Sequence, residues 1–317
     1  MASTSEPFVL AAAGSMDVGM RRAENQDRIL ISDVIYAVAD GMGGHEAGEV
    51  ASQLAVETMD ELNDVVRKST TGKLPLSTDV QRQIQLADDR IREALEARGG
   101  TTLCALTLVR TQSSGREAVT SPVAIPPWTR SFMQDQQTTD VLTKITPQML
   151  EAHRQSLMQN TVPEAEGDVE VPSLLLVNVG DSRGYRLRDG ALQQLTRDHS
   201  AVQEMVDAGQ ITEEEARNHP HRNLITRALG AGAESHPDLT LLQPRIGDRY
   251  LLCSDGLSGE LTEDIIQTLL VNSKNREEAV EVLINAALDA GGRDNIAVVI
   301  VDVAAPRNSV EEEAPAE

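Results

Sequence analysis

The chain has 317 residues, with 28 Lys plus Arg against 50 Asp plus Glu and a formal net charge of −22. That acidity excludes nucleic acid as a partner gripped along its phosphates. Hydrophobic residues make up 40%, enough for a sizeable core, yet no apolar run approaches the roughly 18 residues a membrane helix needs. Aromatics are only 2%, which leaves Leu, Val, Ile, Ala and Met to build the core and argues against stacking platforms for bases or sugars.

The first apolar stretch, 8–14 (FVLAAAG), ends in small residues like a signal peptide. No basic segment precedes it, since 1–7 carries only Glu6, and it reads as a first strand of a cytoplasmic protein. Further β-like runs follow at 28–31, 34–39, 103–109, 174–179, 184–187, 239–242, 249–253 and 296–303. Helical periodicity is clearest over 47–67 and 277–290, with shorter candidates at 79–97, 201–208, 213–218 and 263–270. Many short strands with few regularly spaced crossovers predict an α+β fold of packed antiparallel sheets covered by helices, rather than a doubly wound parallel sheet. Cys104 and Cys253 lie inside apolar runs and read as buried reduced thiols, in keeping with the cytosol.

Residues 111–172 interrupt this order. The segment is rich in Thr, Gln, Ser and Pro, shows helical periodicity only near 147–160, and carries Trp128 and Phe132. It is too long for an ordinary loop and is taken as an insertion, either a surface excursion or a docking element for a partner. A single domain is expected over 8–303, and 304–317, rich in Glu, Pro and Ala, reads as a solvated acidic tail.

The chemistry concentrates where strands end. Asp40 closes VIYAVAD before Gly41, Asp181 follows LLLVNVG, Asp255 closes YLLCSD and Asp294 stands in GGRDN before IAVVIVDV. One such Asp is an ordinary turn signal. Four at sheet edges, without Cys or His companions, make oxygen-rich sites that select Mg²⁺ or Mn²⁺ over Zn²⁺. Arg22 is the candidate cation for a phosphate, because a guanidinium binds it in bidentate fashion. Two rival phosphate chemistries fail. Cys104 and Arg110 have cysteine-phosphatase spacing, but a strand of apolar residues separates them and a thiol buried there is a poor nucleophile. Gly72-Lys73 lacks the earlier glycine of a P-loop. His219 and His221 around Pro220 have no further zinc ligand nearby and read as surface residues.

Taken in order, RRAENQD (21–27), DGMGGHEAGEVAS (40–52), GGTTL (99–103), VGDSRGYRLRDG (179–190), LTRDHS (195–200), NLITRALG (223–230), LLCSDGL (251–257) and GGRDNIAVVIV (291–301) resemble the metal-dependent protein phosphatases of type 2C, particularly their bacterial branch. The resemblance spans about 9–303 without the insertion. It implies a four-layer α-β-β-α sandwich of two antiparallel sheets flanked by helices, with two Mn²⁺ or Mg²⁺ ions in a cleft at one end. By matching positions, Asp40 would bridge both ions and the Gly41 carbonyl would bind one, Asp255 and Asp294 would hold the other, and Asp181 would serve a third, weaker site. Arg22 would bind phosphate, while Gln26 and Asp27 stand where the family has an acidic pair near the metals. The implied function is hydrolysis of phosphoserine and phosphothreonine on proteins by a metal-activated water, opposing a bacterial Ser/Thr kinase, in a chain expected to be a monomer. Met42 stands where eukaryotic relatives carry a proposed acid histidine, which leaves His45 or a metal-held water for that role. Residues 211–219 resemble part of a flap over the cleft. The alternative is a catalytically weak phosphoprotein-binding relative that docks through 111–172.

Overall fold

The computed structural model describes residues 8–43, 46–68, 73–112, 170–232 and 236–306. By its internal contacts the chain divides into a body, Met1–Thr111 with Val171–Glu317, and an intervening unit, Gln112–Glu170. The insertion expected over 111–172, with its helix near 147–160, falls outside the described residues except at its ends, as does the tail from 307 onward.

Eleven strands and seven helices are described in the body. The strands are β1 (Val9–Asp17), β2 (Asp27–Ile31), β3 (Ile35–Gly43), β4 (Gly99–Thr101), β5 (Leu103–Gln112), β6 (Glu170–Val179), β7 (Arg183–Arg188), β8 (Ala191–Gln194), β9 (Asp238–Leu242), β10 (Arg249–Cys253) and β11 (Ile296–Ala304). The helices are α1 (Ala47–Lys68), α2 (Ser77–Leu95), α3 (Ala201–Asp207), α4 (Glu213–Arg217), α5 (Asp255–Ser258), α6 (Glu263–Asn272) and α7 (Arg276–Ala290). One sheet runs β1-β11-β10-β7-β8 and the other β2-β3-β5-β6-β9, with β4 added to the end of β3.

Side-chain alternation explains why these strands read as continuous apolar runs: both faces are covered. In β3, Tyr36 and Val38 point between the sheets with Cys104, Leu106, Leu174, Tyr250 and Leu252. Ala37 and Ala39 point the other way, against Ala51, Ala55 and Met59 of α1 and Ile84 and Ile91 of α2. On the far side, Leu251, Cys253, Val298 and Ile300 meet Ile266 and Leu270 of α6 and Leu283 and Ala287 of α7. The result is the helix–sheet–sheet–helix layering, in which each fully buried Leu or Ile contributes about 1.5–3 kcal/mol. Helix starts follow local chemistry: the Asn275 side chain accepts from the Glu278 amide at α7, and Thr212 with Glu215 makes a reciprocal capping box at α4. Gly291, at φ 144°, ends α7. Among the described residues no helix is long and apolar enough to cross a membrane.

Three elements escape the apolar pattern. β4 is Gly-Gly-Thr, and its glycines are needed because a Cβ on Gly99 would stand 2.8 Å from the Ala47 side chain. β8 is a short polar edge, half exposed. α5 is a single turn that begins on Asp255 itself. The register then gathers the acidic positions at one end of the sandwich. Asp27 at the start of β2 faces Asp40 near the end of β3, while Arg183 pairs with Cys253 and Cys253 with Val298, so the start of β7, the end of β10 and the start of β11 also lie together.

Candidate metal centre

The centre is built around Asp40. Its amide donates to Thr102 Oγ1 at 2.9 Å and its carbonyl accepts from the Thr102 amide at 2.9 Å. Thr102 Oγ1 also meets Ser182 Oγ at 2.7 Å, which ties Asp40 to the turn that carries Asp181 from β6 in the same sheet to β7 in the other. The Asp40 carboxyl lies within hydrogen-bonding reach of both Asp27 and Asp255. Asp27 in turn accepts from Ser254 Oγ at 2.7 Å, and Ser254 is fully buried.

Charge in this cluster is held at a cost. Burial first, then the neighbouring carboxylates Asp27, Asp255 and Asp181, pushes Asp40 well above the ordinary range. Burial raises Asp27 to about 7 against the Ser254 hydrogen bond, and raises Asp255 to about 6, with Asp294 adding repulsion. Asp181 is pushed well up by burial and then by Asp255 and Asp198. Neighbouring acids that resist ionisation without a counter-charge have the electrostatics of a cation site.

Three structural observations test whether divalent cations fit. The donors are all oxygens, the set hard cations prefer. Asp181 Oδ1 is buried without a hydrogen-bond partner among the described residues. Gly48 faces the Gly41 carbonyl, and a Cβ there would stand 2.8 Å from that oxygen and crowd it. The donor chemistry therefore fits, although no group of three His, Cys, Asp or Glu among the described residues is placed to hold a metal ion without adjustment.

Arg22 stands at the rim. Its Nη2 donates to Asp294 Oδ2 at 2.7 Å, with the arginine side chain 54% exposed. That bond, outweighing partial burial, raises its pKa further. Asn295 fixes the two together. Its side-chain nitrogen donates to the carbonyls of Val18 and Glu24, both at 2.9 Å, and its oxygen accepts from the Gln26 amide at 2.9 Å. The Gln26 carbonyl accepts from Ser52 Oγ and from the Gly41 amide, so Gln26 is positioned largely through its backbone. Arg28 holds the same segment to α1, donating to the carbonyls of Asn25 and Asp27 and to Glu49.

No protein-family model matches the chain. The serine/threonine phosphatase stp of Listeria welshimeri is 30% identical over 287 residues, covering 88% of this chain and 86% of that protein. The chain belongs to the bacterial serine/threonine protein phosphatases of type 2C. The serine/threonine protein phosphatase PstP of Mycobacterium tuberculosis is 37% identical over 297 residues, and the chain spans 45% of its length. The solved catalytic domain of PstP in complex with two manganese ions superposes with a TM-score of 0.66 at 33% identity, covering 94% of this chain and all of that one.

Within the chain, Arg22, Gln26, Asp27, Asp40, Gly41, Asp181, Asp255 and Asp294 come to one end of the sandwich, while His45 lies outside the described residues. His219 and His221 sit away from any ligand set, their rings edge to face with centroids 5.2 Å apart. The residues that hold the centre's shape, Thr102, Ser254 and Asn295, lie inside motif blocks but carry no charge to draw notice; adjacency to the aspartates was their only signal.

Proposed function

We propose that the chain is a phosphoprotein phosphatase that hydrolyses phosphoserine and phosphothreonine with two Mn²⁺ or Mg²⁺ ions, opposing a Ser/Thr kinase and acting as a monomer in the cytoplasm. The observation that carries this reading is the approach of the Asp27, Asp40 and Asp255 carboxyls beside the Arg22–Asp294 pair at one end of the sandwich. Asp40, the Gly41 carbonyl, Asp255 and Asp294 would hold the two ions, and Asp181 a third, weaker one. Bound divalent cations acidify water toward neutrality and neutralise phosphoryl oxygens. Arg22 supplies the remaining positive charge. It is half exposed and anchored by one carboxylate, so the rest of its planar donor set stays open to a phosphate. Asn295 orients that arginine by pinning the segment before and after it. Asp27 keeps Asp40 in place from across the β2–β3 pair, itself braced by Ser254.

A covalent route through sulfur has no support. Cys104 and Cys253 are both buried, and burial raises their thiols, Cys253 to about 12. The reading as a phosphoprotein-binding relative gains nothing from the site, where every carboxylate it would need to have lost is present. The test is phosphate release from a phosphothreonine peptide with and without added Mn²⁺. Release should require Mn²⁺ and vanish in Asp40→Asn and Asp255→Asn; unchanged release in both variants overturns the assignment.

A further inference from the structure

The segment before α3, which ends LTRDHS, carries a buried histidine that the hydrolysis does not use. His199 is 6% exposed, and each of its four polar groups is bonded. Its amide donates to the Gly180 carbonyl at 2.9 Å, and its Nδ1 accepts from the Gly180 amide at 3.1 Å. One residue thus closes both backbone groups of Gly180, which adopts φ +103° immediately before Asp181. A Cβ on Gly180 would lie 2.6 Å from Thr102, so the turn is also confined by the residue that leads into the neighbouring strand β5. Because the Gly180 amide donates to Nδ1, the neutral ring carries its proton on Nε2, which faces Asp238 Oδ2 at 3.1 Å and also has Arg227 Nη1 beside it at 3.2 Å. Asp238 Oδ1 accepts from Arg227 Nη1 at 3.2 Å.

The backbone of His199 also reaches the segment that follows α4. Its carbonyl accepts from the Thr226 amide at 2.8 Å, next to an antiparallel bridge between Ser200 and Ile225. Between those two bridged residues the chain makes the excursion that contains α3 and α4. Asn178 strengthens the junction, its side-chain nitrogen donating to the carbonyls of Gly180 and Arg197.

We propose that His199 is a positioning residue that joins the Asp181 turn to the base of the 201–225 excursion, through the Gly180–His199–Asp238–Arg227 chain, so that the two shift together. A merely space-filling core histidine would need neither the double clasp on Gly180 nor a proton directed at a carboxylate that also takes Arg227. The link gives the third-cation turn and the excursion a common conformational equilibrium. The part concerning cations rests on the proposed function; the coupling itself does not.

Two variants test it by amide hydrogen exchange of the metal-free full chain. His199→Gln keeps an amide near the Nε2 position but removes the Nδ1 acceptor, and Gly180 exchange should quicken about tenfold. Asp238→Ala touches neither the turn nor any proposed ligand and, with its side chain 43% exposed, is tolerable to the fold. It too should quicken Gly180 exchange several-fold, together with Thr226. In parallel, binding of Mn²⁺ alone, followed by the magnetic resonance signal of the free ion, should show the weakest class of sites loosened by about threefold to tenfold in both variants. If Asp238→Ala changes exchange only at 226–238 and leaves Gly180 and the weakest Mn²⁺ sites as in the parent, the coupling is refuted. If the parent binds no Mn²⁺, the proposed function fails while the exchange result still decides the coupling.

Discussion

Asp27→Asn should stabilise the metal-free protein, and the size of the effect should depend on pH in a defined way. Burial raises the Asp27 carboxyl to about 7, roughly three pH units above an ordinary aspartate, which at 1.36 kcal/mol per unit corresponds to about 4 kcal/mol of destabilisation when the group is ionised in both states. The penalty is complete above the folded pKa. As pH falls through about 7, the native state takes up a proton that the unfolded chain does not yet bind, so stability rises; the gain is complete near pH 4, where the unfolded carboxyl protonates too. Asparagine removes the charge and keeps an oxygen for the Ser254 hydroxyl that now donates to Asp27 at 2.7 Å. Urea unfolding of metal-stripped protein should therefore show the variant more stable by about 2–4 kcal/mol near pH 8, by about 2 kcal/mol near pH 5.5, and indistinguishable near pH 4. Added Mn²⁺ should narrow the difference, since a bound cation offsets the same charge. A variant no more stable than the parent near pH 8, or a gap that ignores pH, would show that Asp27 carries no electrostatic strain and would remove the main argument for a cation-poised cluster.

Other consequences are simpler. Replacing Arg22 by Ala should lower kcat/KM on a phosphothreonine peptide by about 10- to 100-fold through loss of charge-assisted bonds to phosphate, with Lys recovering only part, measured by steady-state kinetics at saturating Mn²⁺. Asn295→Ala severs three bonds between the Arg22 segment and the start of β11; it should cost about 2–3 kcal/mol in urea unfolding and weaken peptide turnover, although it touches no substrate. Thiol reagents should leave Cys104 and Cys253 unmodified in the folded chain and label both after denaturation, and fast labelling of either before unfolding would contradict their burial.

Most of the fold was legible because the strands are apolar on both faces and the helices on one. The expected run 249–253 coincides with β10, and the others differ from their strands by a few residues at the ends. What escaped was backbone-driven. β4 is placed by glycines that permit close approach to α1, and α5 is a turn made where Asp255 opens a helix rather than merely ending a strand. The charged members of the site were readable from their recurrence after strands. The neutral ones were not: Ser254 looks like any small residue in LLCSD, and its value comes from contacts to Asp27 and to the Ala297 amide, 227 and 43 residues away in the chain. The role of His199 was hidden for a related reason, because a lone histidine beside Ser200 looks like part of a helix cap until Gly180 is seen against it.

The Arg22–Asp294 pair joins residues 272 positions apart, and β1 lies against β11 along its whole length. Strand pairing at this separation is intrinsically slow, because the loop between the partners must be closed before the contact is gained. Until β11 is synthesised, Arg22 has no carboxylate anchor, β1 has no partner strand and Asp255 stands beside an unfinished sheet. A chain made only that far therefore lacks the assembled acidic centre, and truncation anywhere before 296 should give a protein without the centre altogether rather than a weakened version of it.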